Sequence, residues 1–120
     1  MRLRNFKVHE FMCRCKTCSM GVSDVLMSML DEARDYSGVP YRITSGARCL
    51  EHNRAIGSKD TSSHVLGLAV DIAFKNSYEK YMIIYGLMKA GFERIGINED
   101  KQFIHTDIDS AKPSPTLFKY

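Results

Sequence analysis

Hydrophobic positions along this chain follow two rhythms, one that suits helices and one that suits strands. Val25, Leu26, Met29, Leu30 and Ala33 recur at helical spacing behind Ser23, a capping residue, with Asp24 in the first turn. Gly38 and Pro40 close that helix. Tyr41 to Ser45 is rich in strand formers, Leu50 to Ile56 predicts a short helix ended by Gly57, and the polar stretch GSKDTSS leads to His64. A second long helix is expected from Ser77 to Gly91, with Tyr81, Ile84, Tyr85 and Met88 as its apolar face and its methionines and tyrosines packed in the core. FERIGI and QFIHTDI then read as a hairpin across the turn NEDK. The tail SAKPSPTLFKY, with two prolines, is expected to wrap the surface.

Strand alternation carries the chemistry. In LAVDIAF, Leu68, Val70, Ile72 and Phe74 share one face, while Ala69, Asp71 and Ala73 share the other. A carboxylate between two alanines leaves room for an ion and something bound to it. In the hairpin, Ile104, Thr106 and Ile108 face one way, and Phe103, His105 and Asp107 the other. With His64 close upstream, the chain offers two imidazoles and one carboxylate, the donor set of a zinc ion that keeps a position open. A lone strand histidine is more often a hydrogen-bonded or surface residue; three donors with matching faces favour a shared site. Helices mixed with strands and a C-terminal hairpin give an α+β class: one domain over residues 1–120, with a small antiparallel sheet, packed helices and a zinc groove.

Composition narrows the class without choosing a function. The 120 residues are 44% hydrophobic and 26% charged, with no apolar run of membrane-spanning length. The net charge of +3 owes much to Arg2, Arg4, Lys7, Arg14 and Lys16, an excess too small to choose an anionic partner. No secretory signal is apparent, so synthesis in the cytoplasm is expected. Cys13, Cys15 and Cys18 cluster, with Cys49 far downstream. Three readings stay open: a structural zinc held by all four thiols, with His9 or His52 able to replace one; reduced buried thiols; or disulfides formed after release.

The segment ITSGARCLEHNRAIGSKDTSSHVLGLAVDIAF, followed by FIHTDID, resembles the zinc D-Ala-D-Ala carboxypeptidase-like peptidases, which share a metal-site fold with the hedgehog signalling domain. Ser62, His64, Gly67, Ala69 and Asp71 match the pattern SxHxxGxAxD, Ser45, Gly46 and Arg48 match SGxR, and His105 matches the histidine of the last hairpin strand. The resemblance implies Zn²⁺ on His64, Asp71 and His105, with Arg48 engaging a substrate carboxylate or the scissile carbonyl and Ser62 hydrogen-bonding around the site. It implies cleavage of peptidoglycan stem peptides, as by a phage or prophage endolysin or a wall-remodelling carboxypeptidase or endopeptidase, by a monomer acting at the wall or in the periplasm after release. The family base departs from its usual place: Gln102 and Phe103 stand where many members carry Glu or His. The hedgehog-like spacing points instead to Glu99 as general base, with Asp107 the second candidate. Ala47 stands where an aromatic is frequent.

Two rival classes are set against this enzyme: a catalytically silent zinc-bearing binding module of the same fold, and a nucleic-acid-binding domain built on the basic N-terminus. The second would need interleaved aromatics and a longer basic patch, which the chain does not have.

Overall fold

The computed structural model of the chain describes residues 2–15 and 17–120; Lys16, counted above in the basic N-terminus, lies outside the described residues. A 3₁₀ turn at Val8–Phe11 is followed by α1 (Asp24–Ser37), β1 (Arg42–Ser45), α2 (Leu50–Ala55), β2 (Ala69–Ala73), α3 (Ser77–Lys89), β3 (Arg94–Asn98), β4 (Phe103–Asp107) and β5 (Thr116–Lys119). The strands form one sheet in the order β1-β2-β4-β3-β5. The first four are antiparallel to their neighbours, and β5 adds in parallel beside β3. The α+β class therefore holds, with a mixed rather than wholly antiparallel sheet.

Local chemistry starts and stops α1 where expected. The Ser23 hydroxyl accepts from the Leu26 amide at 3.0 Å, and Gly38 ends α1 in the left-handed region at φ +69°. Asp31, buried on α1, accepts from the amides of Arg4 and Asn5 at 2.9 and 2.8 Å, which anchors the N-terminal segment. Arg4 also pairs with Asp35, which offsets its charge locally.

One face of the sheet is covered by α1 and α3. Val70, Ile72, Ile95 and Ile104 meet Leu26, Leu30, Ile83 and Leu87 in a core that excludes water. Each such side chain contributes about 1.5–3 kcal/mol of transfer free energy. Here α3 departs from the expected face. Tyr81, Tyr85 and Met88 are exposed and Ile84 only half-buried, while Ile83, Gly86 and Leu87 are buried. Gly86 explains the rotation: a Cβ there would lie 2.5 Å from the Ala33 carbonyl oxygen and 2.7 Å from the Tyr41 hydroxyl. The two helices cross where α3 has no side chain. The helix starts at Ser77 as expected, capped by the Asn76 side chain, which accepts from the Glu79 amide.

The tail is the second correction. Residues 116–119 are not a surface wrap but the edge strand β5, tied to β3 by Thr116 N–H to Glu93 O at 2.7 Å and Tyr120 N–H to Ile97 O at 3.1 Å. Both prolines precede the strand, so they remove no donor from its ladder. No helix among the described residues is long and apolar enough to cross a membrane.

Candidate metal centre

The sheet face away from the helices carries the site. Asp71 on β2 stands directly opposite His105 on β4, and His105 stands opposite Gly96 on β3. Period-two alternation makes this pairing follow from burial of Ile72 and Ile104 on the other face. His64 comes from the turn that precedes β2. Its amide donates to the Ser62 hydroxyl at 3.3 Å, and its carbonyl accepts from the amides of Arg48 and Gly67. Gly67 adopts φ +70° and passes so close to the chain at Gly21 that a Cβ would lie 2.9 Å from that carbonyl. Ser62 is thus a turn-forming partner of His64 at the edge of the site.

The donor atoms of His64, Asp71 and His105 all lie within 4.8 Å of one another. His64 Nδ1 contacts the Gly46 carbonyl oxygen at 2.7 Å. A carbonyl only accepts, so Nδ1 carries the proton and the Nε2 lone pair faces Asp71 Oδ1 at 3.3 Å. His105 is held from its other side: Nε2 meets Asp107 Oδ2 at 2.8 Å, which leaves Nδ1 towards Asp71 Oδ1 at 3.1 Å. A tetrahedral ion with bonds of about 2.0–2.1 Å has ligand–ligand edges of roughly 3.3 Å. The two edges at Asp71, 3.3 and 3.1 Å, fit that figure. The three side chains could therefore hold a zinc-sized cation, with each imidazole oriented by an oxygen behind it.

Electrostatics agree with geometry. Burial opposes the charge on Asp71, but the imidazoles of His105 and His64 beside it outweigh that and hold the carboxyl at about 2. Burial opposes a charged His105 too, yet Asp107 and Asp71 raise its pKa. A cation set among these donors would take the place of that extra proton.

Asp107 is fully enclosed. Besides His105, it accepts from Arg94 Nε at 2.8 Å and from the Asp109 amide at 3.1 Å. Despite burial, those partners keep its pKa below the ordinary carboxylate value. With both oxygens engaged and none lining the cleft, Asp107 orients His105 and is not placed to take a proton from a substrate.

The centre lies in a cleft of about 690 Å³. Arg14, Arg48, Arg94, Lys101 and Lys112 line it, and Asp71 is the one carboxylate among the described lining residues. Arg48 is buried, and its Nε has no hydrogen-bond partner among the described residues. Burial lowers its pKa, and Asp71 opposes that shift. Through the part of its guanidinium that lines the cleft, Arg48 could pair with an anion entering it. Glu99 is not in the cleft. It stands exposed on the hairpin turn and accepts from Lys80 Nζ of α3 at 2.5 Å, which draws its carboxylate towards the helical side of the sheet. The sequence expected this residue over the zinc; a hairpin turn can direct its side chains to either side, and here the lysine holds it on the other side.

Several contributors were not visible beforehand. The Gly46 carbonyl orients His64, yet a backbone oxygen leaves no trace in a pattern of side chains. Arg94 braces Asp107 and stacks over Phe118 with its guanidinium carbon 5.3 Å from the ring centroid. Phe118 and Tyr120 form a cleft wall that depends on β5; alternation in TLFKY was the available signal. His52 of α2 also lines the cleft.

An α+β fold whose sheet and the turn before β2 bring two histidines and an aspartate together at the floor of a cationic cleft defines the class of this protein. Comparison with protein-family models matches residues 4–107 to the family described as Peptidase M15, and the chain belongs to that family. No curated protein matches the chain.

Proposed function

We propose that the protein is a zinc-dependent peptidase acting on peptidoglycan stem peptides. One observation carries the reading: a two-histidine, one-aspartate centre opens into a cleft with five Lys and Arg side chains and no carboxylate besides Asp71 among the described lining residues. Stem peptides carry free carboxylates, and such a wall favours an anionic peptide. Family membership supplies the reaction class.

His64 Nε2, His105 Nδ1 and one oxygen of Asp71 would hold the ion. When bound, zinc supplies Lewis acidity, polarising a carbonyl and lowering the pKa of a water towards about 7. Arg48, which lines the cleft, offers its guanidinium to a substrate carboxylate and so sets the scissile bond in register. The proton of the attacking water needs an acceptor that reaches the cleft. Glu99 points away and Asp107 is enclosed, while Tyr120 keeps its proton because burial, with help from Asp71, pushes its pKa up to about 12. Outside the ligand triad, His52 is the one imidazole in the cleft wall. His52 takes that proton and returns it to the leaving amine. An endolysin or a wall-remodelling enzyme, reaching the wall after release, fits this chemistry.

The missing carboxylate base favours a second reading, a zinc-bearing module that binds wall peptide without cutting it. Incubation with purified peptidoglycan separates the two. The enzyme releases fragments with new termini, seen by mass spectrometry, and a chelator stops their release. Co-sedimentation with the wall and no fragments at any zinc level would establish the silent module instead.

A further inference from the structure

We propose that Cys13, Cys15, Cys18 and Cys49 form a second metal site, a structural tetrathiolate zinc clip tying the N-terminal loop to the start of α2. This inference stands on the thiol cluster and does not rest on the peptidase reading.

The four sulfurs lie within 4.8 Å of one another although Cys49 is distant in sequence. Cys13 Sγ is 3.8 Å from Cys49 Sγ, and Cys15 Sγ is 3.3 Å from Cys18 Sγ. Zinc–sulfur bonds of about 2.3 Å in a tetrahedron require sulfur–sulfur edges of roughly 3.8 Å. Four mutually close sulfurs surround one point, which is what an ion needs. Two disulfides would need only closeness within each pair. Cys18 is exposed and Cys15 half-buried, so a set of inert buried thiols does not describe the cluster.

Backbone donors are aimed at the sulfurs. The Cys49 amide points at Cys13 Sγ at 3.4 Å, the His52 amide at Cys49 Sγ at 3.4 Å, and the Thr17 amide at Cys15 Sγ at 3.5 Å. The Thr17 hydroxyl adds a fourth contact, again on Cys15 Sγ, at 3.4 Å. Such donors stabilise thiolates and favour these orientations. A soft four-sulfur tetrahedral set selects zinc over hard cations.

The position explains what the clip would do. Cys49 follows Arg48 and caps α2, the helix that carries His52 to the cleft. Two residues before Arg48, Gly46 packs so closely on the Phe11 backbone that no Cβ fits, and its carbonyl orients His64. The Ala47 amide bonds the Phe11 carbonyl at 2.9 Å, and the Cys13 amide bonds the Met20 carbonyl at 2.9 Å. An ion on the four thiolates would therefore lock the strip from Gly46 to His52 against the N-terminal loop.

Elemental analysis of the purified full chain tests this. Two zinc ions per chain are expected, with one left in His105→Ala and one left in the double variant Cys15→Ser, Cys18→Ser. Denaturing mass spectrometry should find all four cysteines carrying their hydrogens. Should the cysteine variant fail to fold, cobalt replacement decides: the wild type and His105→Ala should both show the near-ultraviolet thiolate-to-cobalt charge-transfer band. Lack of that band, equal zinc in the wild type and the folded cysteine variant, iron in place of the second zinc, or a mass four hydrogens short would each overturn the proposal.

Discussion

The two donor clusters of this molecule are built in opposite ways. Asp71 and His105 sit on paired strands in exact opposition, with apolar neighbours buried beneath them, and His64 is brought to them by a turn. Cys13, Cys15 and Cys18 sit on an irregular loop, and Cys49 caps a six-residue helix. In the first cluster the fold positions two of the donors before any ion is present. In the second, little besides the ion and a few amides would position them. Loss of metal should therefore leave the strand-built centre in shape and loosen the loop-built one.

The largest expected effect comes from the strand-built side. His105→Ala removes a ligand from an otherwise intact sheet, so hydrolysis should fall to background while the fold persists, read by fragment release and circular dichroism. Unfolding of the variant would contradict the idea that the sheet pre-forms this centre. Next, His52→Ala should keep metal at the histidine centre and lower kcat by about 10² to 10⁴, the usual cost of a lost general base. A wild-type rate would remove His52 from the mechanism.

How far the clusters could be read from sequence follows the same division. Asp71 and His105 were legible because a strand has a two-residue period, so Ile72 and Ile104 in the core oblige both side chains to face the other way. The placement of His64 came from its motif, since a turn has no period to follow. The thiol cluster was legible only as an odd spacing, because loop geometry decides which sulfurs meet. Hydropathy misread α3: close helix crossing at Gly86 is a steric requirement that outweighs the apolar value of Tyr81, Tyr85 and Met88. It missed β5 as well, where two prolines and a polar run concealed an edge strand whose Phe118 and Tyr120 complete the cleft.

Arg48 stands between the two clusters, since it lines the cleft while its neighbour Cys49 joins the thiols. Arg48→Ala should keep both metals and lower kcat/KM by roughly 10- to 150-fold, from the 1.5–3 kcal/mol of a hydrogen bond to a charged group. Asp107→Asn probes the orientation behind His105. It should weaken metal binding at that centre by about 10- to 100-fold, seen in a competitive chelator titration, and leave the thiol site unchanged. A drop in hydrolysis at saturating zinc without any change in metal affinity would instead make Asp107 a participant in proton transfer.

Glu99→Gln is the smallest effect and the sharpest boundary of the strand-built centre. The residue has the sequence spacing of a general base, but its side chain is 60% exposed and bonded to Lys80 on the helical side of the sheet. Glutamine keeps the size and removes the charge, so the variant loses an ion pair of the exposed kind, about 0.2–1 kcal/mol and screened by salt. Nothing on the cleft side changes. Fragment release at saturating zinc should match the wild type within experimental scatter, while the small loss of thermal stability should shrink as salt is added. A variant that kept its zinc and its fold yet lost most hydrolysis would show that the hairpin turn swings Glu99 over the cleft during turnover. The base would then be this carboxylate, and His52 would be left as a wall residue. The pair of variants decides between a base borne by the thiol-clipped helix and one borne by the hairpin.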